Sequence, residues 1–162
     1  FPMVLGGLSR EELGGMVRKL GRRASLDFDH EAIDRVAAES GGHPFLARTL
    51  ADLTDQRAPA ARARLVPVGA AAIEAEVPAF DEEVRYVMSE VADAVEELGA
   101  PGSLTAVVDA LVAGSWEGLS PGFVEDLRRY GVIIPGHAHM RIGVFGRWLR
   151  RNIAPSRRAA HG

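Results

Sequence analysis

The stretch from Ser40 to Leu50 holds the residues of this chain that are best suited to contact a ligand. It reads Ser-Gly-Gly-His-Pro-Phe-Leu-Ala-Arg-Thr-Leu. The two glycines supply a turn with positive backbone torsions, and Pro44 opens a helix that is expected to bury Phe45 and Leu46. Backbone amides exposed at such a helix start hydrogen-bond an anion or a polar ring. The same sequence also suits an ordinary connecting loop that binds nothing, and both interpretations stay open.

Three helices are predicted around this turn, two of them with side-chain caps. Ser9, followed three residues later by Glu12, forms a capping box, and Asp29 is the N-cap of a second helix. Pro44 occupies the first position of a third helix. The predicted helices cover residues 9–21, 29–40 and 44–57. Three short helices form a small bundle, so residues 1–57 are predicted to be one helical subdomain.

A proline-containing segment separates this bundle from a second predicted domain. Residues 58–68 contain two prolines and are predicted to be a linker. Beyond the linker, the spacing of apolar residues predicts four helices. They cover residues 69–77, 81–98, 103–113 and 123–130.

A change of period follows the last of these helices. Residues 132–134 and 139–144 are predicted to form the two strands of a β-hairpin, and residues 145–151 return to helix. The last three of these helices, followed by a β-hairpin, match the winged-helix plan, a variant of helix-turn-helix. Residues 69–153 are therefore predicted to be a winged-helix domain, in a chain that is mainly α. The basic tail, residues 154–162, is predicted to be disordered.

The net charge of −3 conceals a strong segregation of charge along the chain. Residues 67–126 hold thirteen acidic residues and one basic residue, Arg85. Residues 127–162 hold eight arginines and no acidic residue. The carboxyl-terminal part is therefore the predicted anion-binding surface of the chain.

The composition is typical of soluble globular proteins. The 162 residues are 47% hydrophobic and 25% charged, and none is cysteine. Disulfides and thiolate metal ligands are thus excluded, and a cytoplasmic location is expected. No apolar run has the length of a transmembrane helix and no signal-peptide pattern opens the sequence, so no membrane partner is expected. Because the sequence opens at Phe1 without a methionine, we expect it to be part of a longer chain.

Four segments, taken in order, carry a family resemblance. They are residues 8–12 (Leu-Ser-Arg-Glu-Glu), 41–46 (Gly-Gly-His-Pro-Phe-Leu), 126–133 (Asp-Leu-Arg-Arg-Tyr-Gly-Val-Ile) and 145–149 (Phe-Gly-Arg-Trp-Leu). Together they resemble the carboxyl-terminal half of AAA+/STAND-type ATPases, in which a Rossmann-like nucleotide-binding domain is followed by a helical lid and a winged-helix domain. The resemblance covers nearly the whole chain.

The resemblance implies a role for the turn that precedes the third helix. In these ATPases a Gly-x-Pro turn packs against the adenine base, which implicates Gly42 and Pro44, with His43 between them as a polar neighbour. Arg48, one helical turn after Pro44, is a candidate sensor arginine. For His43 and Arg48, a solvated side chain without a ligand is the alternative.

The chain departs from the family in the parts that hydrolyse ATP. It contains no Gly-x-x-x-x-Gly-Lys-Ser/Thr phosphate loop and no acidic pair that closes a hydrophobic strand. We therefore expect no enzyme activity from this chain alone. ATP or ADP and magnesium would be bound mainly by an upstream nucleotide-binding domain of the same polypeptide, with assembly into an oligomer left open.

A phosphate-sensing motif of some relatives is also missing. Plant-type and apoptotic members place Met-His-Asp near the second wing strand, where this chain has Arg-Ile-Gly-Val at residues 141–144. His139 is nearby but out of register. His137 and His139 lack a third ligand close in sequence, so no metal site is predicted. Trp116 and Trp148 are expected to pack in the interior.

Two other classes of function compete with this interpretation. A winged helix that binds DNA would direct its arginines to phosphates, although Glu125 and Asp126 in the same helix oppose the approach of DNA. The candidate phosphate contacts are Arg128, Arg129, Arg141, Arg147, Arg150 and Arg151. A protein-interaction module would instead use the acidic residues of 74–97, which are otherwise expected to be a solvated helix face.

Overall fold

A computed structural model of the chain describes residues 7–58, 64–134, 136 and 138–156. These residues form eight helices and one two-stranded sheet, so the prediction of a mainly α chain is confirmed. Contacts divide the chain into two units, one of residues 7–84 and one that holds the described residues from Arg85 onward. Within the described ranges, no helix has both the length and the apolar character needed to cross a bilayer.

The unit 7–84 packs four helices around two short strands. Its elements are α1 (Arg10–Arg23), β1 (Leu26–Phe28), α2 (His30–Ser40), α3 (Pro44–Arg57), β2 (Val66–Val68) and α4 (Ala70–Glu83). The predicted capping box is confirmed, because the Ser9 hydroxyl accepts from the Glu12 amide and the Glu12 carboxylate accepts from the Ser9 amide, both at 3.1 Å. The carboxylate of Asp29 caps α2 by accepting from the Ala32 amide at 2.8 Å.

Apolar side chains from all four helices and both strands fill the interior of this unit. Among the buried residues are Leu13, Val17, Leu26, Phe28, Ile33, Val36, Leu46, Leu50, Val68, Ile73 and Phe80. The expectation that Phe45 faces inward is wrong, since 53% of its surface is exposed. The buried residues of α3 are Leu46, Ala47, Leu50, Ala51 and Thr54. At 100° per residue, Phe45 falls on the opposite side of α3 from this stripe.

The predicted linker, residues 58–68, contains β2, which pairs in parallel with β1. Leu26 lies opposite Val66 in the register, and the Val66 amide donates to the carbonyl of Ser25 at 2.9 Å. Because hydrogen-bonding groups alternate along a strand, the nitrogen of Pro67 points away from β1, where a strand tolerates proline. A pairing partner 40 residues away along the chain leaves no local signal, so the sequence did not reveal this strand.

The structure also differs from the prediction at the boundary of the second domain. The expected helices over 69–77 and 81–98 are replaced by α4 and by α5 (Arg85–Leu98), with one residue between them. Pro78 lies inside α4 instead of ending a helix. The buried side chains of Ile73 and Phe80 lie on α4, which packs on α2 and α3. Residues 69–84 therefore lie with the first unit and not in a domain 69–153.

The second unit consists of four helices with a short hairpin before the last. Besides α5 they are α6 (Ser103–Ala113), α7 (Pro121–Arg129) and α8 (Gly143–Asn152). The Ser120 hydroxyl caps α7 by accepting from the Phe123 amide at 3.3 Å, and Pro121 lies in the first turn. The interior contains Met88, Val91, Val95, Val107, Val108, Leu111, Leu127, Phe145 and Leu149.

The predicted β-hairpin is reduced to one antiparallel bridge in the described residues, between Ile133 and Met140. The Arg141 amide donates to the carbonyl of Val132 at 3.0 Å beside it. Residues 143–144, predicted to end the second strand, instead begin α8, whose first turn buries the side chain of Val144. The two strands of a wing are thus not present at the predicted lengths.

The two tryptophans pack against other residues as expected, whereas two of the acidic residues do not lie on a solvated face. Trp116 is buried, and the ring of Trp148 stacks on that of Phe145 with centroids 6.3 Å apart. The carboxylate of Glu96, expected on a solvated face, accepts from the Leu104 amide at 2.7 Å. Glu76 is buried. The acidic residues of 74–97 are therefore not one continuous solvated face.

Candidate functional site

The turn between α2 and α3 is held by hydrogen bonds to the end of α2. Gly41 has a left-handed backbone with φ 61°, and its amide donates to the carbonyl of Ala37 at 2.8 Å. Gly42 has φ 81° and donates to the hydroxyl of Ser40 at 3.2 Å, while the His43 amide donates to the Ser40 carbonyl at 3.0 Å. Glycine adopts this region at little cost, so the two glycines allow the chain to reverse within a few residues.

The amino-terminal end of α3 has no side-chain cap. Pro44 has no N–H, and the amides of Phe45 and Leu46 have no hydrogen-bond partner in the described part of the chain. Partial positive charge collects at such a helix end. The side chains of Pro44 and Phe45 are both exposed there. The turn therefore combines an exposed apolar surface with two unused amide donors, which suits a flat ring that carries nitrogen acceptors.

His43 precedes Pro44 at the N-cap position of α3, with its side chain half-buried. Its Nδ1 atom is buried and has no hydrogen-bond partner in the ranges that the structure describes. Burial lowers the pKa of the imidazole below its ordinary value, so the ring is neutral at neutral pH. Most buried polar atoms have a partner, and the unpaired nitrogen marks this turn as unusual.

Arg48 lies on the next turn of α3 and is exposed. At helical spacing, Pro44, Phe45 and Arg48 share one side of α3. The structure thus brings the four predicted residues together in one short segment, with Arg48 displaced from Gly42, His43 and Pro44 along the helix. Phe45 was missed as a site residue because its apolar character predicted burial.

Gly7 and Leu8 pack against the same turn. The Leu8 amide donates to the carbonyl of Gly42 at 2.8 Å. A Cβ atom on Gly7 would lie 2.2 Å from both the carbon and the oxygen of the Gly42 carbonyl group. The sequence signal for this contact was the glycine pair before Ser9, which by itself predicts only a loop.

The arginines predicted as alternative phosphate contacts do not form one set of exposed cations. They are Arg128, Arg129, Arg141, Arg147, Arg150 and Arg151. Arg129 pairs with Asp126, and its guanidinium lies over the ring of Tyr130, 5.4 Å from the centroid. Arg141 and Arg147 are half-buried, and the remaining three are exposed. An interface for nucleic acid would therefore depend on the ends of α7 and α8.

No protein-family model matches this chain, and no curated protein or solved structure matches it. An inference about function therefore depends on the geometry of the turn and on the order of the motifs in the sequence.

The described residues include no group of three His, Cys, Asp or Glu side chains arranged to hold a metal ion. His139 is exposed, and His137 lies outside the described residues. At the turn, the described residues offer two amide donors, an exposed apolar surface and the guanidinium of Arg48.

Proposed function

We propose that this chain is the carboxyl-terminal, non-catalytic part of an AAA+/STAND-type ATPase. In this proposal the unit 7–84 is the helical lid over a bound ATP or ADP molecule. The second unit is a winged-helix-type domain that relays the nucleotide state to other domains. Phosphates and magnesium are held mainly by a nucleotide-binding domain upstream in the same polypeptide.

One observation carries the proposal: the exposed Pro44 and Phe45 side chains lie at a helix start whose amides have no partner in the described residues. Adenine offers a flat apolar face and ring nitrogens that accept hydrogen bonds, so both kinds of surface are complementary to it. The half-buried imidazole of His43 borders this surface, with its Nδ1 atom turned into the interior. Arg48 is placed one turn farther along the helix, where a cation favours phosphate.

In this proposal the upstream domain holds the phosphates, and this chain regulates binding. A chain without a phosphate loop has no means of holding the β- and γ-phosphates during transfer, so the lid acts on affinity and conformation. A lid that binds one nucleotide state better than another shifts the conformational equilibrium by that difference in affinity.

The test is the affinity of the full-length protein for ATP and ADP, measured by isothermal titration calorimetry. Loss of the Pro44 ring in Pro44→Ala is expected to weaken binding by about fivefold to tenfold, the order of one or two lost methylene contacts. Gly42→Ala is expected to weaken it at least as much, because φ 81° strains alanine. Pro121→Ala, at the matching first-turn position of α7, is the control. Unchanged affinity in Pro44→Ala and Gly42→Ala would remove the adenine contact.

A DNA-binding module is the second candidate, favoured by the exposed Arg128, Arg150 and Arg151. Contacts to phosphates release counterions, so this function requires affinity that falls steeply as salt increases. Gel shifts of the chain with duplex DNA at low and at moderate salt decide the matter. The absence of a shift at low salt eliminates this candidate.

A further inference from the structure

The closest approach between the beginning of the unit 7–84 and the candidate turn involves two glycines. A Cβ on Gly7 would lie 2.2 Å from the Gly42 carbonyl carbon and 2.7 Å from the His43 nitrogen. A Cβ on Gly42 would lie 2.6 Å from the Leu8 carbonyl oxygen. Every atom in these contacts belongs to the backbone, so no side chain can rotate to make room. Any side chain on Gly7 or Gly42 would therefore collide with the backbone of the facing segment.

The two segments are anchored unequally. Three hydrogen bonds tie the turn to the end of α2, through the amides of Gly41, Gly42 and His43. The backbone hydrogen bond that joins the Gly7–Leu8 segment to the turn runs from the Leu8 amide to the Gly42 carbonyl, at 2.8 Å. Immediately after this segment, the Ser9 capping box begins α1. A displacement of Gly7–Leu8 therefore acts first on the Gly42 carbonyl.

We propose that Gly7 is a positioning residue for the nucleotide-contacting turn, and that its contact with Gly42 couples the conformation of the turn to that of the Gly7–Leu8 segment. This inference rests on the proposed function. When Gly7–Leu8 stays on the turn, the Gly42 carbonyl is held and His43 and Pro44 keep their positions. When Gly7–Leu8 moves away, the carbonyl loses its partner and the start of α3 is free to shift. Nucleotide at the turn and the position of Gly7–Leu8 then influence each other reciprocally.

The first experiment uses the chain itself, labelled with ¹⁵N, as wild type and as Gly7→Ala. Gly15→Ala is the matched control, because a Cβ there meets no atom within 4 Å. In Gly7→Ala, hydrogen exchange at the Leu8 amide is expected to accelerate by about tenfold or more. The NMR titration midpoint of the His43 ring is expected to rise towards its ordinary value, because the turn opens to water. A role confined to stability would leave the His43 midpoint of the folded variant unchanged.

The second experiment measures ADP binding by the full-length protein. Gly7→Ala is expected to weaken ADP binding by about tenfold, within the usual range of coupling between sites, and Gly15→Ala by less than about twofold. If Gly7→Ala does not fold, the wild-type protein supplies the test: ADP is expected to slow exchange at the Leu8 amide. The Asp29 amide, bonded to the Val68 carbonyl at 3.0 Å, is expected to keep its rate.

The outcomes separate this inference from the proposed function. Absence of ADP binding by the wild-type protein contradicts the proposed function, while the exchange and titration data still decide whether Gly7 positions the turn. Unchanged Leu8 exchange and an unchanged His43 midpoint in folded Gly7→Ala overturn the inference. The inference is also overturned if Gly7→Ala binds ADP as tightly as wild type does, or if ADP does not change the hydrogen-exchange rate of the Leu8 amide in wild type.

Discussion

The guanidinium of Arg57, the last residue of α3, forms an ion pair with the carboxylate of Glu76 in α4. The side chain of Glu76 is only 4% exposed, whereas that of Arg57 is 71% exposed. A buried carboxylate is thus held by a cation that reaches it from the surface. The pair joins α3 to α4, which also pack on each other within the first unit.

Arg57→Met is expected to lower the free energy of unfolding because it leaves the Glu76 carboxylate buried without its cation. Breaking a fully buried pair costs about 3–5 kcal/mol, and the exposure of Arg57 reduces the expected cost to about 1–3 kcal/mol. Urea unfolding followed by circular dichroism measures it. Arg10→Met is the control, since Arg10 and Asp34 pair at the surface and such pairs contribute about 0–1 kcal/mol. Equal losses in the two variants would contradict a special role for the buried pair.

His43 makes the unit 7–84 less stable in mild acid. Burial lowers its pKa in the folded chain, while the unfolded chain has the ordinary value of about 6.5. Between the two values the unfolded state binds more protons, so stability decreases as the pH falls through about 6.5. The loss is complete below the folded pKa.

Urea unfolding of wild type and His43→Gln between pH 5 and pH 8 isolates this contribution. As the pH falls from 8 to 5, wild type is expected to lose more unfolding free energy than His43→Gln, because only wild type carries the His43 ring. An NMR titration of the His43 ring gives the folded-state pKa directly. A midpoint above about 6.5 would show that burial is not the dominant influence on the ring.

The Ser9 capping box is expected to stabilise the start of α1, next to Gly7 and Leu8. Ser9→Ala removes the acceptor for the Glu12 amide and is expected to cost about 1 kcal/mol. The Ser9 amide, and secondarily the Ser9 hydroxyl, lower the pKa of Glu12 by donating to its carboxylate. This part of the stability is therefore present above the ordinary Glu pKa and is lost as the pH falls through the lowered value. Thermal unfolding of Ser9→Ala, with Ser9→Thr as the variant that retains the hydroxyl, measures the cap; equal destabilisation of both would contradict it.

The features of this fold that could be predicted from the sequence are those that depend on neighbouring residues. Ser9 and Asp29 each cap the helix that their neighbouring residues predict, because a cap depends on residues within one turn. The strand β2 and the docking of α4 depend on partners far along the chain. A sequence pattern does not report such contacts. Prolines such as Pro67 and Pro78 therefore predict the end of an element, although β2 and α4 each accommodate one.

In the candidate site, too, some features depend on neighbouring residues and others depend on the folded chain. The turn at Gly42 and the helix start at Pro44 can be predicted from neighbouring residues, since a positive φ and a first-turn proline are local requirements, whereas their contact with a base is implied only by the family resemblance. Phe45 was assigned to the core because hydrophobicity predicts burial on average but does not fix which side of a helix is buried. The contact of Gly7 with Gly42 joins residues on either side of α1 and α2, and only the folded chain brings them together.

Arg48 provides the sharpest distinction between a base contact and a phosphate contact at the turn. If its guanidinium meets a phosphate, Arg48→Ala is expected to weaken ATP and ADP binding by the full-length protein by about tenfold while leaving adenosine binding unchanged, because adenosine carries no phosphate. Arg48→Lys keeps the charge but loses the bidentate geometry, so an intermediate affinity is expected. Arg22→Ala, another exposed arginine of the same unit, is the control for general charge effects. Equal weakening of adenosine and ADP would indicate that Arg48 acts on the nucleoside and not on a phosphate. No change in either would assign Arg48 to the solvated surface of α3.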